Sequence, residues 1–590
     1  MASGIETASA AFGIVSLAIQ LFQGCVEGYK ICHTAQKIGR DGDLLFTKLS
    51  VQRSRLEAWA HKAGLPHGPF KCLHWDPIIL ILGQQQGLLR SAKEMQDRYR
   101  LGGQGGEKQH AGGQNVAVHH DKLQPKGQSA GVTDASSLVE RLRPLFIATR
   151  NVRQVEADTI QESNGLVKRF TWALTGKEKL EKIVSEITTL NSQLVEYLND
   201  ADQIEFRHEV GTLFRALVSE CSASEEVDVV RMAMPPDAPA AILAAAKVKK
   251  LRLTLKLARH GSAKETMQEA DEPPTLTEGC KHFKSHRLVI GMETQYHGMR
   301  ITTYNTTVVM VEWRTITANW HGVKEHLRDL AMLLRQASDS AFHSLPCAGY
   351  VDMQESGRFG FVYDITDFTT GADASSVQTR SLFDLFTECP FVSIVDRTRI
   401  AYDMAEAVLQ LHTAGWLHKG ICSENIQFVG AARSAPRAIV GSNPYLVGYG
   451  YARPDTASAA VMTELPATAA NRDLYRHPSA RGQARQSFQM RFDMYGLACV
   501  LVELALWRRL EDVLRKCCSW TAQEALPSLN ELFGDAAFQE ELSFHVGPKF
   551  ISAIQLCLAA PRNLGLDQGG GDGGLIETGV LDALRSCRYS

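Results

Sequence analysis

Residues 417–428 read Leu-His-Lys-Gly-Ile-Cys-Ser-Glu-Asn-Ile-Gln-Phe, which crowds His418, Lys419, Glu424 and Asn425 into one short run. Side chains of these types, held by a loop, could move a proton to or from a reacting hydroxyl. Gly420 sits among them and brings no side chain at all. The flanking segments are strongly patterned. Arg399 to His412 carries apolar residues at Ile400, Met404, Val408 and Leu411, a helical spacing that leads straight into the loop. Downstream, Asp493 to Trp507 is a long, almost wholly apolar run with a single aspartate at its head.

The run resembles the catalytic loop of protein kinases, His-Arg-Asp followed by four residues and Asn. His418 and Asn425 meet that pattern, Lys419 stands in the arginine position, and Gly420 stands in place of the aspartate. In the kinase family that aspartate accepts the substrate hydroxyl's proton and orients it. The likeness continues in Tyr445-Leu-Val-Gly-Tyr-Gly450, where Gly448, Tyr449 and Gly450 occupy the metal-binding Asp-Phe-Gly and the metal-holding aspartate is again glycine. Val308-Val-Met-Val-Glu-Trp-Arg314 is similar to the strand that carries the nucleotide-binding lysine, with Arg314 at that position. An arginine's planar fork is no neutral exchange for a compact ammonium. Glu325, in a helix running to about Leu334, is the candidate ion-pair partner of Arg314; a solvated helix face is the competing reading. Asp493 resembles the leading aspartate of the large C-lobe helix, which implies a structural bond to loop amides. Between Glu278 and Val308 no Gly-x-Gly-x-x-Gly run covers phosphates. Loss of a general base alone costs ~10²–10⁴ in rate, and loss of the metal ligand removes the main charge clamp. The resemblance therefore implies a pseudokinase. No catalytic residue and no cofactor are expected, and nucleotide binding without turnover stays an open alternative.

The amino-terminal stretch from Thr7 to Val26 holds no charged residue. Phe12, Ile14, Val15, Leu17, Ile19, Leu21 and Phe22 form a broad apolar face. Ser9, Gly13, Ser16, Gln20 and Gln23 make one narrow polar stripe of an expected helix. No basic segment of a secretory signal precedes it. Its length approaches the ~20 residues of a membrane span, but the stripe makes such a span marginal. Two readings stay open: a core helix of a bundle, or a helix that leaves the bundle for a bilayer. Ala11 to Tyr29, then Gly39-Arg-Asp-Gly-Asp-Leu-Leu-Phe-Thr-Lys-Leu49 and Arg55-Leu-Glu-Ala-Trp59, resemble the HeLo, or prion-inhibition and propagation, domain of fungal heterokaryon-incompatibility proteins. The resemblance spans roughly residues 1–215. It implies an all-helical bundle that releases its first helix into the plasma membrane and kills the cell, with self-association and anionic lipids as partners. A helical killer domain ahead of a pseudokinase is also the order of the animal mixed-lineage kinase-like necroptosis effector.

Composition narrows the field further. A formal net charge of −2 gives no reason to expect nucleic acid as a partner, and the 13 cysteines are scattered without a paired framework, which suits a reducing compartment. No metal site is expected; His110, His119 and His120 match no ligand spacing. The expected fold is multi-domain, an all-α bundle followed by an α+β, two-lobed kinase-like domain. Its boundaries are 1–215 for the bundle, with a disordered insertion at about 101–137, and 216–280 for a linker or brace. The kinase-like domain takes 281–560 and a flexible tail 561–590, in which Leu575–Ser590 is a candidate for one last short helix. Alternation of Leu251, Leu253, Leu255 and Leu257 within the basic run Lys247–His260 predicts a strand, with an anionic-lipid-facing segment as alternative. Lys177–Tyr197 is a clear amphipathic helix. The function expected is a cell-death or heterokaryon-incompatibility effector, cytoplasmic until an unknown protein or ligand sends it to the plasma membrane. Two alternatives stand beside it: an atypical active kinase recruiting Glu424 or Asp364, and a non-lethal scaffold.

Overall fold

Among the described residues, those up to Ser262 form helices and those after it form mixed sheets with helices. The structure is a computed structural model that describes residues 15–29, 40–65, 71, 75–99, 177–235, 238–262, 280–289, 298–316, 320–337, 340–368, 374–455, 473–481, 487–518, 528–559 and 571–588. Contacts divide it into two units, Met1–Leu217 with Asp228–Ala238, and Val218–Val227 with Pro239–Ser590. Phe12, Ile14, the insertion at 101–137 and the histidines at 110, 119 and 120 lie outside the described residues.

The first unit is built from α1 (15–29), α2 (Arg40–Ala63), α3 (Trp75–Tyr99), α4 (Lys177–Val195) and most of α5 (Asp200–Glu220) and α6 (Ser224–Ala233). In α4 the residues Leu180, Ile183, Val184, Ile187, Leu190 and Leu194 are all buried, so the helical period of the sequence became a core-facing stripe. α5 is capped by Asn199, whose side-chain oxygen accepts from the Asp202 amide at 2.9 Å. It is tied to α2 by Lys62, whose ammonium reaches Glu205 at 2.6 Å and Glu209 at 2.7 Å. In α1, Ala18, Phe22, Cys25 and Tyr29 are buried, while Ser16, Gln20 and Gln23 face solvent. Val15, Ile19 and Leu21 are half-buried, and Leu17 is 44% exposed. Among the described residues no helix is long and apolar enough to cross a membrane.

The second unit begins with α7 (Ala240–Ser262), which corrects the strand expected at 251–257. The leucine alternation is incidental in a run of Ala, Leu, Lys and Arg, the strongest helix formers. Ala244, Val248, Arg252 and Leu255 lie one above another at helical spacing and are buried within this unit. Residues 240–262, within the 216–280 stretch, are thus a helix of the second unit.

Next come β1 (Lys281–His282), β2 (Leu288–Val289), β3 (Met299–Tyr304), β4 (Thr307–Thr315), α8 (Trp320–Gln336), β5 (Cys347–Met353) and β6 (Arg358–Asp364). These strands form one six-stranded sheet in the order β1-β5-β6-β4-β3-β2, antiparallel except for the parallel β1–β5 pair. Both faces of β4 are covered. Val308 and Met310 join the core shared with α8, and Val309 and Val311 pack with Val351 and Val362 on the other face.

The remaining part is mainly helical. β7 (Val377–Ser381), α9 (Leu382–Glu388) and α10 (Ile394–Thr413) precede β8 (Trp416–Leu417), β9 (Ile426–Ala431), α11 (Pro436–Val440), β10 (Pro444–Leu446) and β11 (Arg453–Pro454). Then follow α12 (Met490–Leu506), α13 (Leu510–Cys518), α14 (Leu529–Leu532), α15 (Ala536–His545), α16 (Pro548–Leu558) and α17 (Gly571–Arg588). α17 is the short last helix expected from Leu575, begun one turn earlier at Gly571. Val580, Leu581 and Leu584 are buried in the unit's core, and Arg585 donates to the Tyr402 hydroxyl of α10 at 3.2 Å.

α12 is apolar all round and buried all round, as a central helix must be. It carries one fully buried carboxylate in its last turn. Glu503 Oε1 accepts from the Tyr475 hydroxyl at 2.6 Å, the Leu510 amide at 2.8 Å and Ser423 at 3.2 Å, while Oε2 has no hydrogen-bond partner. Burial pushes its pKa up to about 8 against the lowering effect of those donors. The folded state therefore holds this proton more tightly than the unfolded chain does. Stability falls as pH rises from about 4.5 to about 8 and is level beyond. Glu503→Gln keeps the accepting oxygen and abolishes the titration. Denaturant melts at several pH values should show the variant little changed near pH 4.5 but more stable than wild type by ~1–3 kcal/mol at pH 8.5.

Candidate functional site

The loop between β8 and β9 is folded around the carboxylate of Asp493, 1% exposed in the first turn of α12. The successive amides of His418 and Lys419 donate to Asp493 Oδ2 at 2.7 Å and Oδ1 at 2.8 Å. His412 Nε2 lies 3.4 Å from Oδ2. Two adjacent amides aimed at one anion need a turn of the nest type, and Lys419 takes the left-handed conformation with φ of 67°. Asp493 thus fixes the loop. His418 is buried, receives the Gly420 amide on Nδ1 at 3.2 Å, and meets the Tyr449 ring edge to face with centroids 4.8 Å apart. Burial holds its pKa down at about 4, so the imidazole is neutral in the neutral pH range.

Asn425 turns its amide inward and donates to the Gly420 carbonyl at 2.6 Å. It also fills the space beside Gly448, which has φ of 89°. A Cβ built on Gly448 would stand 2.5 Å from Asn425 Nδ2, whereas one on Gly420 would stand 3.2 Å from the same atom. Of the two glycines, only Gly420 could take a side chain without displacing its neighbour by much. Tyr449 is buried, with its hydroxyl lacking a hydrogen-bond partner and its pKa raised by burial.

β4 pins this glycine pair from the sheet side. Glu312, 6% exposed, accepts from the amides of Gly448 and Gly450, both at 3.1 Å, and from the Tyr363 hydroxyl at 3.0 Å. Burial raises its pKa, and these donors together with the Tyr449 amide oppose that rise. Arg314 Nη1 donates to the Gly450 carbonyl, and its guanidinium lies 4.4 Å from the Tyr451 ring centre. Sequence reasoning missed Glu312, although an acidic residue inside an otherwise apolar strand was the available signal. Of the two readings of Glu325, the structure takes the solvated helix face: it is exposed on α8, and the inward position of that turn belongs to His326, whose Nε2 contacts the Ala452 carbonyl at 2.9 Å. Asp364 is exposed too, and accepts from the Thr366 amide and hydroxyl at 3.0 and 2.7 Å.

Between β4 and the loop lies a cleft of about 70 Å³, bordered by Met299, Arg314, Gly420, Glu424 and Gly448. That is room for a few water molecules. Glu312 and Glu424 are the carboxylates on its wall among the described residues. On the far side of the loop, α7 reaches the turn after α10. Arg252 Nη1 donates to the Gly415 carbonyl at 3.3 Å, and Gly415 has φ of 74° where a Cβ would strike the guanidinium at 2.9 Å. Lys249, one turn earlier, donates to the Ser219 carbonyl at 2.8 Å, and burial brings its pKa down to about 7. Among the described residues no cluster of His, Cys, Asp or Glu could hold a metal ion.

A family model described as HeLo, prion-inhibition and propagation, matches residues 9–222. The amino-terminal part of the chain is HeLo-like. That HeLo-like stretch takes in α1 to α5, whose amphipathic helices form the first unit. No curated protein matches the chain.

Gly448→Ala should lower stability by ~1–2 kcal/mol from the left-handed backbone alone, and more from the contact with Asn425. Gly420→Asp should cost little, since only one contact tightens. Thermal melts of the two variants side by side measure the difference, and equal losses would contradict the placement of Asn425.

Proposed function

We propose that this chain is a cell-death effector of the heterokaryon-incompatibility type. In this reading the HeLo-like bundle acts on a membrane, and the second unit is a catalytically degenerate kinase-like regulator. The match over residues 9–222 carries the first half of the reading. The amphipathic α1 supports it, because it keeps Leu17 in water and Val15, Ile19 and Leu21 only half-covered. For the second half, the support is glycine at both 420 and 448, with Asn425 turned onto the Gly420 carbonyl and Arg314 onto the Gly450 carbonyl. A site so arranged has no side chain at 420 to receive a proton and no carboxylate at 448 to hold a metal. The regulator would act by binding differently to a restrained and a released bundle. Self-association, anionic lipids as target and an activating protein or ligand belong to the same proposal, as does movement from cytoplasm to plasma membrane.

One observation favours a second reading. Glu424 borders the cleft next to Gly420 and could serve as a displaced acid in an atypical kinase. Magnesium-dependent nucleotide turnover lost in Glu424→Gln would support that kinase.

The first reading is tested with vesicles. Full-length protein and residues 1–238 are floated with phosphatidylserine-containing and neutral vesicles, beside Leu17→Gln in each form. Leu17 is exposed, so its change leaves the fold intact. The expected result is anionic-vesicle binding by 1–238, weaker in the full chain and lowered at least threefold by Leu17→Gln. A folded 1–238 that ignores anionic vesicles would refute membrane action and favour a scaffold.

A further inference from the structure

The buried face of α1 meets more than apolar side chains. At its last turn Tyr29, 2% exposed, receives a hydrogen bond from Gln85 Nε2 of α3 at 2.8 Å. The same nitrogen donates to Asn191 Oδ1 of α4 at 2.8 Å. Asn191 Nδ2 in turn donates to Gln52 of α2, to its carbonyl at 2.9 Å and its side chain at 3.0 Å. Arg55 adds a bond to the Gln52 side chain at 3.1 Å and one to Ser192 at 3.2 Å. One polar chain therefore runs through four helices inside an apolar core, and Tyr29 is the member contributed by α1.

The rest of the seat of α1 is unlike this. Ala18 and Phe22 would be out of water in a bundle or in a bilayer alike, so their burial does little to favour either place. Gly24 and Gly28 let α3 come close, since a Cβ on Gly24 would stand 2.0 Å from Gln86 and one on Gly28 would stand 3.0 Å from Leu89. Close approach of that kind gains dispersion but no directional bond. The Tyr29–Gln85 hydrogen bond exists only when α1 is seated. Gln85 is fully buried and its Oε1 already has no partner, so departure of Tyr29 leaves that amide with Asn191 alone. An amide so stripped of partners is costly in a dry core.

We infer that the Tyr29–Gln85–Asn191 chain is the catch that holds α1 in the bundle, and that α1 opens as a unit when Tyr29 lets go while α2, α3 and α4 stay folded. This deepens the membrane reading above, from which it takes the idea that α1 leaves. The molecule carries its own reporter. Cys25 lies on the same face, fully buried, with its thiol donating to the Leu82 carbonyl at 3.3 Å and its pKa pushed up to about 12 by burial. It can react only when α1 lifts.

The test uses full-length protein without membranes, N-ethylmaleimide labelling of Cys25 followed by peptide mass spectrometry, and amide exchange of α4 as the control. In wild type, Cys25 should label faster than the slowest α4 amides exchange, because α1 opens below the threshold for global unfolding. Tyr29→Phe should speed Cys25 labelling roughly tenfold, equivalent to about 1.4 kcal/mol in the opening equilibrium, with α4 exchange unchanged. Gln85→Met should do the same. The double variant should exceed the larger single effect by less than twofold, as expected for partners in one bond. Unchanged labelling in Tyr29→Phe, additive effects, or α4 exchange rising in step with Cys25 would each overturn the catch. Because no lipid is present, failure here leaves vesicle binding untouched. Failure to bind vesicles with Cys25 opening intact would instead remove the membrane reading and keep the catch.

Discussion

Carboxylates taken out of water and surrounded by amide donors set the shape of the second unit. Asp493 receives two consecutive loop amides and Glu312 receives the amides of Gly448 and Gly450, one from below and one from the sheet side. A buried carboxylate is unfavourable unless donors converge on it, so the backbone of 418–420 and of 448–450 has little freedom left. The left-handed turn at Lys419 and the cleft of a few waters both follow from that convergence. Arg314 and Asn425, residue types suited to ligands, are in this arrangement bound to main-chain carbonyls. The second unit reads as a frame closed on itself, consistent with the proposed regulatory role.

The first unit follows a different rule. Its helices are placed by apolar stripes, most plainly in α4, and their relative register is supplied by a few polar side chains in the interior. A buried polar chain adds less to stability than to the choice of one arrangement over its neighbours. Membrane-active helices need that distinction, because hydrophobic burial alone does not separate a protein core from a lipid core.

Much of this was legible from residue pattern and some was not. Helices with a steady period (α4, α10, α12) could be read directly, since a 3.6-residue repeat of apolar residues survives whatever surrounds it. α7 was misread because four leucines happen to alternate, and local propensity carried the helix. α17 could be read from Leu575 onward, where Val580, Leu581 and Leu584 keep the helical spacing, but not its first turn, because glycines have little helix propensity. At the candidate site the glycines at 420 and 448 were plain, because a missing side chain needs no structure to be noticed. The partners of Glu312, Arg314 and Asn425 lie more than a hundred residues away or across a turn, and no local pattern encodes such pairings. For Glu325 the sequence left an ion pair and a solvated face both open: helical phase within a residue or so decides whether a side chain faces in or out, and here His326 took the inward position. Tyr29, Gln85 and Asn191 were invisible as a set, since single polar residues on amphipathic helices read as solvent-facing.

The mutual fit of Asn425 and Gly448 makes the two positions interdependent. The Asn425 amide takes up the space beside Gly448 and bonds the Gly420 carbonyl. A side chain at 448 would meet an occupied position, whereas one at 420 tightens a single contact. A substitution at 448 therefore calls for a compensating change at 425, so the two residues behave as one unit of sequence although they sit on separate turns of the chain.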